Sequence, residues 1–280
     1  MTARPMPGIA GVIGWPVAHS RSPVIHRFWL DKCATDGDYS RFPVDPARLG
    51  DAIAGLSSLG FRGVNVTVPH KEAVMPLLSD VDEAARAVGA VNTVVVGDDG
   101  RLSGTNTDVD GIEDALSGAS LSGARICLIG AGGAARAALH VLKRRGTGDV
   151  AIIARRREQA LALLAEFGLD GAAFDFPQAH AAMAGRSVLI NASPLGMTGQ
   201  PPMPDAVIRA VPVLAPGALV FDMVYAPLDT ALLCAAGNAG MAMVDGLVML
   251  IGQAARAFHL FFGVYAPRQH DRELRALLVK

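Results

Sequence analysis

Residues 125–129 end in the apolar run Ile-Cys-Leu-Ile, and the chain then continues Gly-Ala-Gly-Gly-Ala-Ala-Arg over 130–136. A short apolar run closed by glycine predicts a buried strand, and the alanine-rich stretch 134–145 predicts a helix. Gly130, Gly132 and Ala135 then fall on the pattern G-x-G-x-x-A in a strand–turn–helix setting. Each position has a physical reason. Gly130 permits the tight turn, Gly132 lets backbone approach a pyrophosphate, and Ala135 lets helix and strand pack closely. Gly130, Ala131, Gly132, Gly133 and Ala134 become candidate dinucleotide contacts, because the helix start offers free N–H groups and a positive dipole end. An ordinary glycine-rich βα turn without a ligand would show the same letters.

At 280 residues the chain is long enough for about two domains. Apolar residues make up 51% of it, yet no run of 18 occurs, so no membrane span is expected. Residues 1–8 lack the apolar segment of a secretory leader. A net charge of −1 argues against nucleic acid or a membrane surface as partner. The three cysteines, Cys33, Cys127 and Cys234, stand far apart among apolar neighbours. They are expected to be reduced core thiols of a cytoplasmic protein, with no metal site.

Strands are predicted at 9–15, 39–44, 63–68, 90–97, 101–104, 125–129, 149–153, 187–191 and 218–222. Helices are predicted at 23–32, 46–59, from 71 onward, and at 108–116, 134–145, 158–167 and 246–262. The result is an α/β protein: an N-terminal α/β domain with a mostly parallel sheet, followed by a dinucleotide-binding domain. The boundary falls near 106–112. The last helix is expected to return to the first domain, which divides the chain into 1–107 with 246–280 and 108–245. A cleft between the two would hold the site.

The second strand of the nucleotide unit ends in Ala154-Arg155-Arg156-Arg157 rather than in a carboxylate. An acidic group there would grip a ribose hydroxyl, whereas forked guanidinium donors suit a 2′-phosphate. The cofactor is therefore expected to be NADP (NADPH), although a solvated basic helix start looks the same.

Asn65-Val66-Thr67-Val68-Pro69-His70-Lys71 closes a predicted strand. Asn65 and Thr67 share one face of it, and polar groups inside a sheet need partners. Lys71 lies where strand ends meet ligands and could exchange a proton with a hydroxyl; a surface lysine would read identically. Asp108 could be its partner or a helix N-cap. Ser20 and Ser22 precede a helix and could hold a carboxylate or merely cap it. His19 and His26 have no triad partner and are read as structural. Gly246 and Gln253 lie on one face of the last helix.

Taken together these segments resemble the shikimate dehydrogenase family. The matching stretches are 13–23, 65–71, 89–93, 104–108, 130–136, 191–197, 222–228 and 245–253, in the family's order over nearly the whole chain. The resemblance implies NADP-dependent reduction of 3-dehydroshikimate to shikimate, on the route to chorismate and aromatic amino acids. It implies a shikimate-binding domain and a Rossmann-type domain. By the same resemblance Lys71 and Asp108 are the catalytic pair. Ser20, Ser22 and Tyr225 hold the substrate carboxylate, and Thr67, Asn92 and Gln253 hold its ring hydroxyls, with Asn65 nearby. Arg155, Arg156 and Arg157 take the 2′-phosphate, and Met223 and Gly246 line the nicotinamide pocket. Glu83 falls where some members contact the cofactor. The chain would act on a small molecule as a monomer or homodimer. Two positions depart from the family pattern: Ala154 replaces the usual Asn, and Val248 replaces a Gly. A broader quinate/shikimate dehydrogenase and a non-catalytic ligand sensor are the alternatives.

Overall fold

Residues 7–279 are described by a computed structural model of the chain. The chain forms two compact units: residues up to Thr107 with those from Gln253 onward, and Asp108–Gly252.

The first unit contains β1 (Gly8–Gly14), α1 (Ser22–Lys32), β2 (Gly37–Pro43), α2 (Leu49–Ser58), β3 (Phe61–Val66), β4 (Asp80–Val81), α3 (Glu83–Val88), β5 (Thr93–Val96) and β6 (Leu102–Thr105). Its six strands lie in the order β2-β1-β3-β5-β6-β4. Three pairings are parallel, while β5 runs antiparallel to both β3 and β6. The first strands are expectedly apolar, and Ile13, Val64, Val66 and Val94 pack under α2 through Leu49, Ile53 and Leu56. One expectation fails here. The stretch from Lys71 is not an α-helix but a run of turns ending in a 3-10 turn at Met75–Leu77. The Lys71 carbonyl accepts the Val91 N–H at 2.8 Å, and Pro76 lacks the N–H that a helix would need.

The second unit contains α4 (Asp108–Ala115), β7 (Arg125–Ile129), α5 (Gly133–Arg144), β8 (Asp149–Ile153), α6 (Arg157–Phe167), β9 (Gly171–Phe174), α7 (Ala179–Met183), β10 (Val188–Asn191), α8 (Asp205–Ala210), β11 (Leu219–Asp222), α9 (Ala231–Asn238) and β12 (Ala242–Val244). Its strands are all parallel, in the order β12-β11-β10-β7-β8-β9. This is the doubly wound order, and it reverses between β7 and β10. Being covered on both faces, β7, β8 and β10 are almost wholly apolar and buried. The edge strands β9 and β12 are additions to the predicted set.

The long helix α10 (Gly246–Phe262) is divided between the units at Gly252, and α11 (Asp271–Leu278) closes the chain. In the first unit Ala257 and Phe261 of α10 pack with Ala10, Val12, Val17 and Tyr39.

The cysteine expectation holds only in part. Cys127 is buried, which pushes its thiol up to about 12. Cys33 is half-buried, and Cys234 is exposed. Its apolar neighbours Leu232 and Leu233 face inward on α9 while Cys234 points outward. Among the described residues no helix is long and apolar enough to cross a membrane.

His26 on α1 is fully buried, its ring stacked on that of Tyr39 with centroids 4.0 Å apart. Neither ring nitrogen has a hydrogen-bond partner. Burial holds its pKa down from 6.5 to about 3. The imidazole is therefore neutral in the fold but takes up a proton in the unfolded chain once the pH drops below 6.5. Its share of the stability is present above 6.5 and is lost as pH falls toward 3. His26→Phe is expected to gain about 2 kcal/mol relative to wild type between pH 7 and pH 5. Urea unfolding of both proteins at the two pH values checks this, and parallel pH dependences would refute it.

Candidate active site

In the first unit the polar candidates converge on one edge of the sheet. The chain leaves β1 into the loop that carries Ser20, and it leaves β3 into Thr67 and Lys71. Because β5 runs antiparallel, its start, just after Asn92, lies at that same edge, as does the end of β6 before Thr107. Backbone hydrogen bonds lock these segments together. Thr67 N–H donates to Ile13 O at 3.0 Å, Val66 N–H to Asn92 O at 2.7 Å, and Asn92 N–H to Thr105 O at 3.1 Å. The Val91-to-Lys71 bond ties the lysine's turn to the same strand start. Thr107 is held by donating its N–H to Asn92 Oδ1 at 2.8 Å, and the chain continues directly into Asp108, the first residue of α4. Asp108 thus sits inside the first helical turn, where a carboxylate suits the dipole, rather than at the cap.

Ser22 opens α1, whose N-cap, Arg21, makes no side-chain cap bond. Ser20 Oγ accepts the Ser22 N–H at 3.3 Å, and the Ser20 carbonyl is clamped by Arg41 through Nε at 3.1 Å and Nη2 at 2.6 Å. The Ser22 hydroxyl meets that of Tyr39. Asn65 is buried and its amide is engaged by Tyr39, Thr93 and Asn92 O. It builds the edge from beneath. Gln253 is half-buried on α10, and Glu83 is exposed at the start of α3.

In the second unit the fingerprint occupies the point where strand order reverses, at the carboxyl ends of β7 and β10. Gly130 adopts φ +107°, and a Cβ there would lie 3.0 Å from Ala192 O at the end of β10. Gly132 and Gly133 face open space, so the start of α5 is uncovered backbone. Gln159 on α6 pins the loop by donating to Ala131 O at 3.0 Å. This is the cradle a pyrophosphate requires. Arg155, Arg156 and Arg157 follow β8 at the same edge, all exposed, and their side chains form no hydrogen bond or ion pair with another described residue. The residues fit a dinucleotide carrying a 2′-phosphate.

Sequence reasoning missed the carboxylate that shapes the far end of this edge. Asp222 closes β11 and is fully buried. It accepts from Asn191 Nδ2 at 2.9 Å, from the Val224 N–H at 3.0 Å and from Thr230 Oγ1 at 2.7 Å. Burial raises its pKa, and these donors partly oppose the rise. Asn191 Oδ1 in turn takes Ser193 Oγ at 2.7 Å. The network fixes the backbone at Val224, and the Met223 N–H is held by Asn191 O at 3.1 Å. The signal was available: β10 and β11 each end an apolar run on one polar side chain. Gly246 at the start of α10 lies against this backbone, so closely that a Cβ would stand 2.3 Å from Met223 O. Val248, the departure from the family pattern, is half-buried.

Residues 12–94 match the shikimate dehydrogenase substrate binding domain, 113–195 the shikimate/quinate 5-dehydrogenase family, and 246–274 the shikimate 5′-dehydrogenase C-terminal domain. A shikimate dehydrogenase (NADP(+)) of Sphingopyxis alaskensis is 50% identical over 271 residues, 96% of each chain. The chain belongs to the shikimate dehydrogenase family. Two solved members of the family agree in fold. Shikimate 5-dehydrogenase of Listeria monocytogenes, in complex with shikimate and NAD, is 30% identical with a TM-score of 0.88, covering 97% of this chain and 96% of its own. The enzyme of Thermus thermophilus, in complex with NADP(H) and shikimate, is 33% identical with a TM-score of 0.83, covering 96% and 99%.

Proposed function

We propose that this protein is an NADP-dependent shikimate dehydrogenase, interconverting 3-dehydroshikimate and shikimate with Lys71 and Asp108 as its acid–base pair. The observation that carries the reading is the sheet edge of the first unit, where hydrogen bonds hold Thr67, Lys71, Asn92 and Thr107 together. Family membership supplies the substrate class.

The cofactor, when bound, supplies or removes a hydride at the substrate carbon. As a carbonyl is reduced, negative charge grows on its oxygen. The Lys71 ammonium stabilises that charge and delivers the proton, and Asp108 orients the lysine; in the reverse direction the lysine takes the hydroxyl proton. Ser20 and Ser22, with Tyr225, hold the substrate carboxylate. Thr67, Asn92 and Gln253 hold the ring oxygens. The loop 130–134 holds the pyrophosphate at the start of α5, and Met223 and Gly246 bound the nicotinamide. The substrate is a small molecule, and the setting is the cytoplasm, with the chain acting as a monomer or homodimer.

The reading is tested by following reduced-nicotinamide absorbance with shikimate or quinate and NADP or NAD. Turnover is expected with shikimate and NADP, and its absence would end the proposal. Arg155→Ala/Arg156→Ala is expected to raise KM for NADP about 10–100-fold, the loss of a charged phosphate contact, while changing KM for NAD little. Equal effects on both cofactors would remove these arginines from the 2′-phosphate site.

A further inference from the structure

Beneath the proposed substrate residues runs a chain of buried side-chain hydrogen bonds, all within the first unit. Tyr39 OH donates to Asn65 Oδ1 at 2.7 Å. Asn65 Nδ2 donates to Thr93 Oγ1 at 2.9 Å and lies 3.3 Å from the Asn92 carbonyl. Thr93 Oγ1 donates to Asn92 Oδ1 at 2.9 Å. Thr107 contributes its N–H at 2.8 Å and its hydroxyl at 3.2 Å to the same oxygen. Tyr39, Thr93 and Thr107 are wholly inaccessible, and Asn65 and Asn92 nearly so.

The direction of this chain is fixed at two points. A backbone N–H can only donate, so the end of Asn92 that faces Thr107 must be its oxygen. A backbone carbonyl can only accept, so the end of Asn65 that faces Asn92 O must be its nitrogen. Between these anchors the Thr93 hydroxyl accepts from Asn65 and has one proton to give, with Asn92 Oδ1 at 2.9 Å and Thr107 Oγ1 at 3.2 Å within its reach. At the other end the Tyr39 phenol supplies the donor that Asn65 Oδ1 needs. Between Thr93 and Thr107 either hydroxyl can donate, and the two fixed ends hold for both senses of that contact. Asn92 consequently commits its oxygen to the network, which makes its NH2 the donor end of the amide.

We propose that Tyr39 and Thr93 are positioning residues that set the amide of Asn92 as a hydrogen-bond donor for a ring oxygen of the substrate. Thr93 acts through Asn92, and Tyr39 acts through Asn65 while also meeting the Ser22 hydroxyl; neither touches the substrate. The inference rests on the proposed role of Asn92.

The test compares Thr93→Val, Thr93→Ser and Tyr39→Phe with wild type in steady-state kinetics, and measures shikimate binding calorimetrically without cofactor. Thr93→Val keeps the volume and removes the hydroxyl. It is expected to raise KM and Kd for shikimate about tenfold with KM for NADP unchanged, and Thr93→Ser is expected to restore both. Tyr39→Phe, which leaves Asn65 Oδ1 short of a donor, is expected to raise them about threefold. If Thr93→Val fails to fold, Thr93→Ala takes its place, because Tyr39→Phe also removes the contact with Ser22. Wild-type shikimate affinity in a folded Thr93→Val or in Tyr39→Phe would overturn the inference, as would a loss that serine does not rescue. Absence of wild-type turnover would defeat the functional reading instead, and the calorimetric comparison would still judge this one.

Discussion

Lys71→Ala is expected to lower kcat for shikimate oxidation by about 10²–10⁴-fold, the usual worth of a positioned acid–base group. Binding should survive. The turn that carries the lysine is held by its own backbone, through the bond from Val91 N–H to Lys71 O, and the substitution leaves that bond in place. Calorimetry with shikimate and single-turnover kinetics with NADP separate the two effects. Lys71→Arg sharpens the test. A guanidinium keeps the positive charge but does not give up its proton near neutrality. If the lysine only attracted a developing oxyanion, arginine would recover much of the rate; if it moves a proton, arginine stays near the alanine level. Retention of more than about a tenth of kcat by Lys71→Ala would remove the lysine from the chemistry.

The second large effect is expected from one added methyl group. Gly246→Ala places a Cβ 2.3 Å from Met223 O and 2.7 Å from the carbonyl carbons of Met223 and Val224. All three obstacles are backbone, and the Asp222 network holds that backbone through the Val224 N–H. Neither side yields cheaply. The substitution is expected to cost about 2–3 kcal/mol of stability and to raise KM for NADP more than tenfold. The Met223 segment must move out of the place proposed for the nicotinamide. Thermal unfolding and cofactor titration check both parts. A folded Gly246→Ala with wild-type KM for NADP would show that Met223 and Gly246 do not border the cofactor.

What could be read from sequence followed from how locally each feature is determined. The bounds of β7, β8 and α10 stand as predicted, because a buried parallel strand is a short apolar run and an amphipathic helix has its own period. The glycine fingerprint is equally local, since Gly130 meets a steric demand of its own turn. The edge strands β9 and β12 escaped notice. Gly-Ala-Ala-Phe and Ala-Met-Val carry no period, and partners distant in sequence select them. The helix predicted from Lys71 failed for a related reason. The carbonyl that would have accepted within a helix accepts from Val91, twenty residues on. The proposed site divides along the same line. Lys71, Asn92 and the arginines stand out as residue types next to strand ends. The wiring among Tyr39, Asn65, Thr93 and Thr107, or between Asn191 and Asp222, links segments that no spacing rule connects.

The division of α10 bears on how the molecule is made. Tyr39, Val12 and Val17 leave the ribosome early, yet the core they join is completed by Ala257 and Phe261. The leading unit cannot seal until almost the whole chain has been synthesised. The middle unit, continuous from Asp108 to Gly252, has all its strands by Val244 and can fold first. An unfinished hydrophobic surface is thus carried at the front of every nascent chain. Truncation after Gly252 should leave a proteolysis-resistant middle segment, with the opening hundred residues digested.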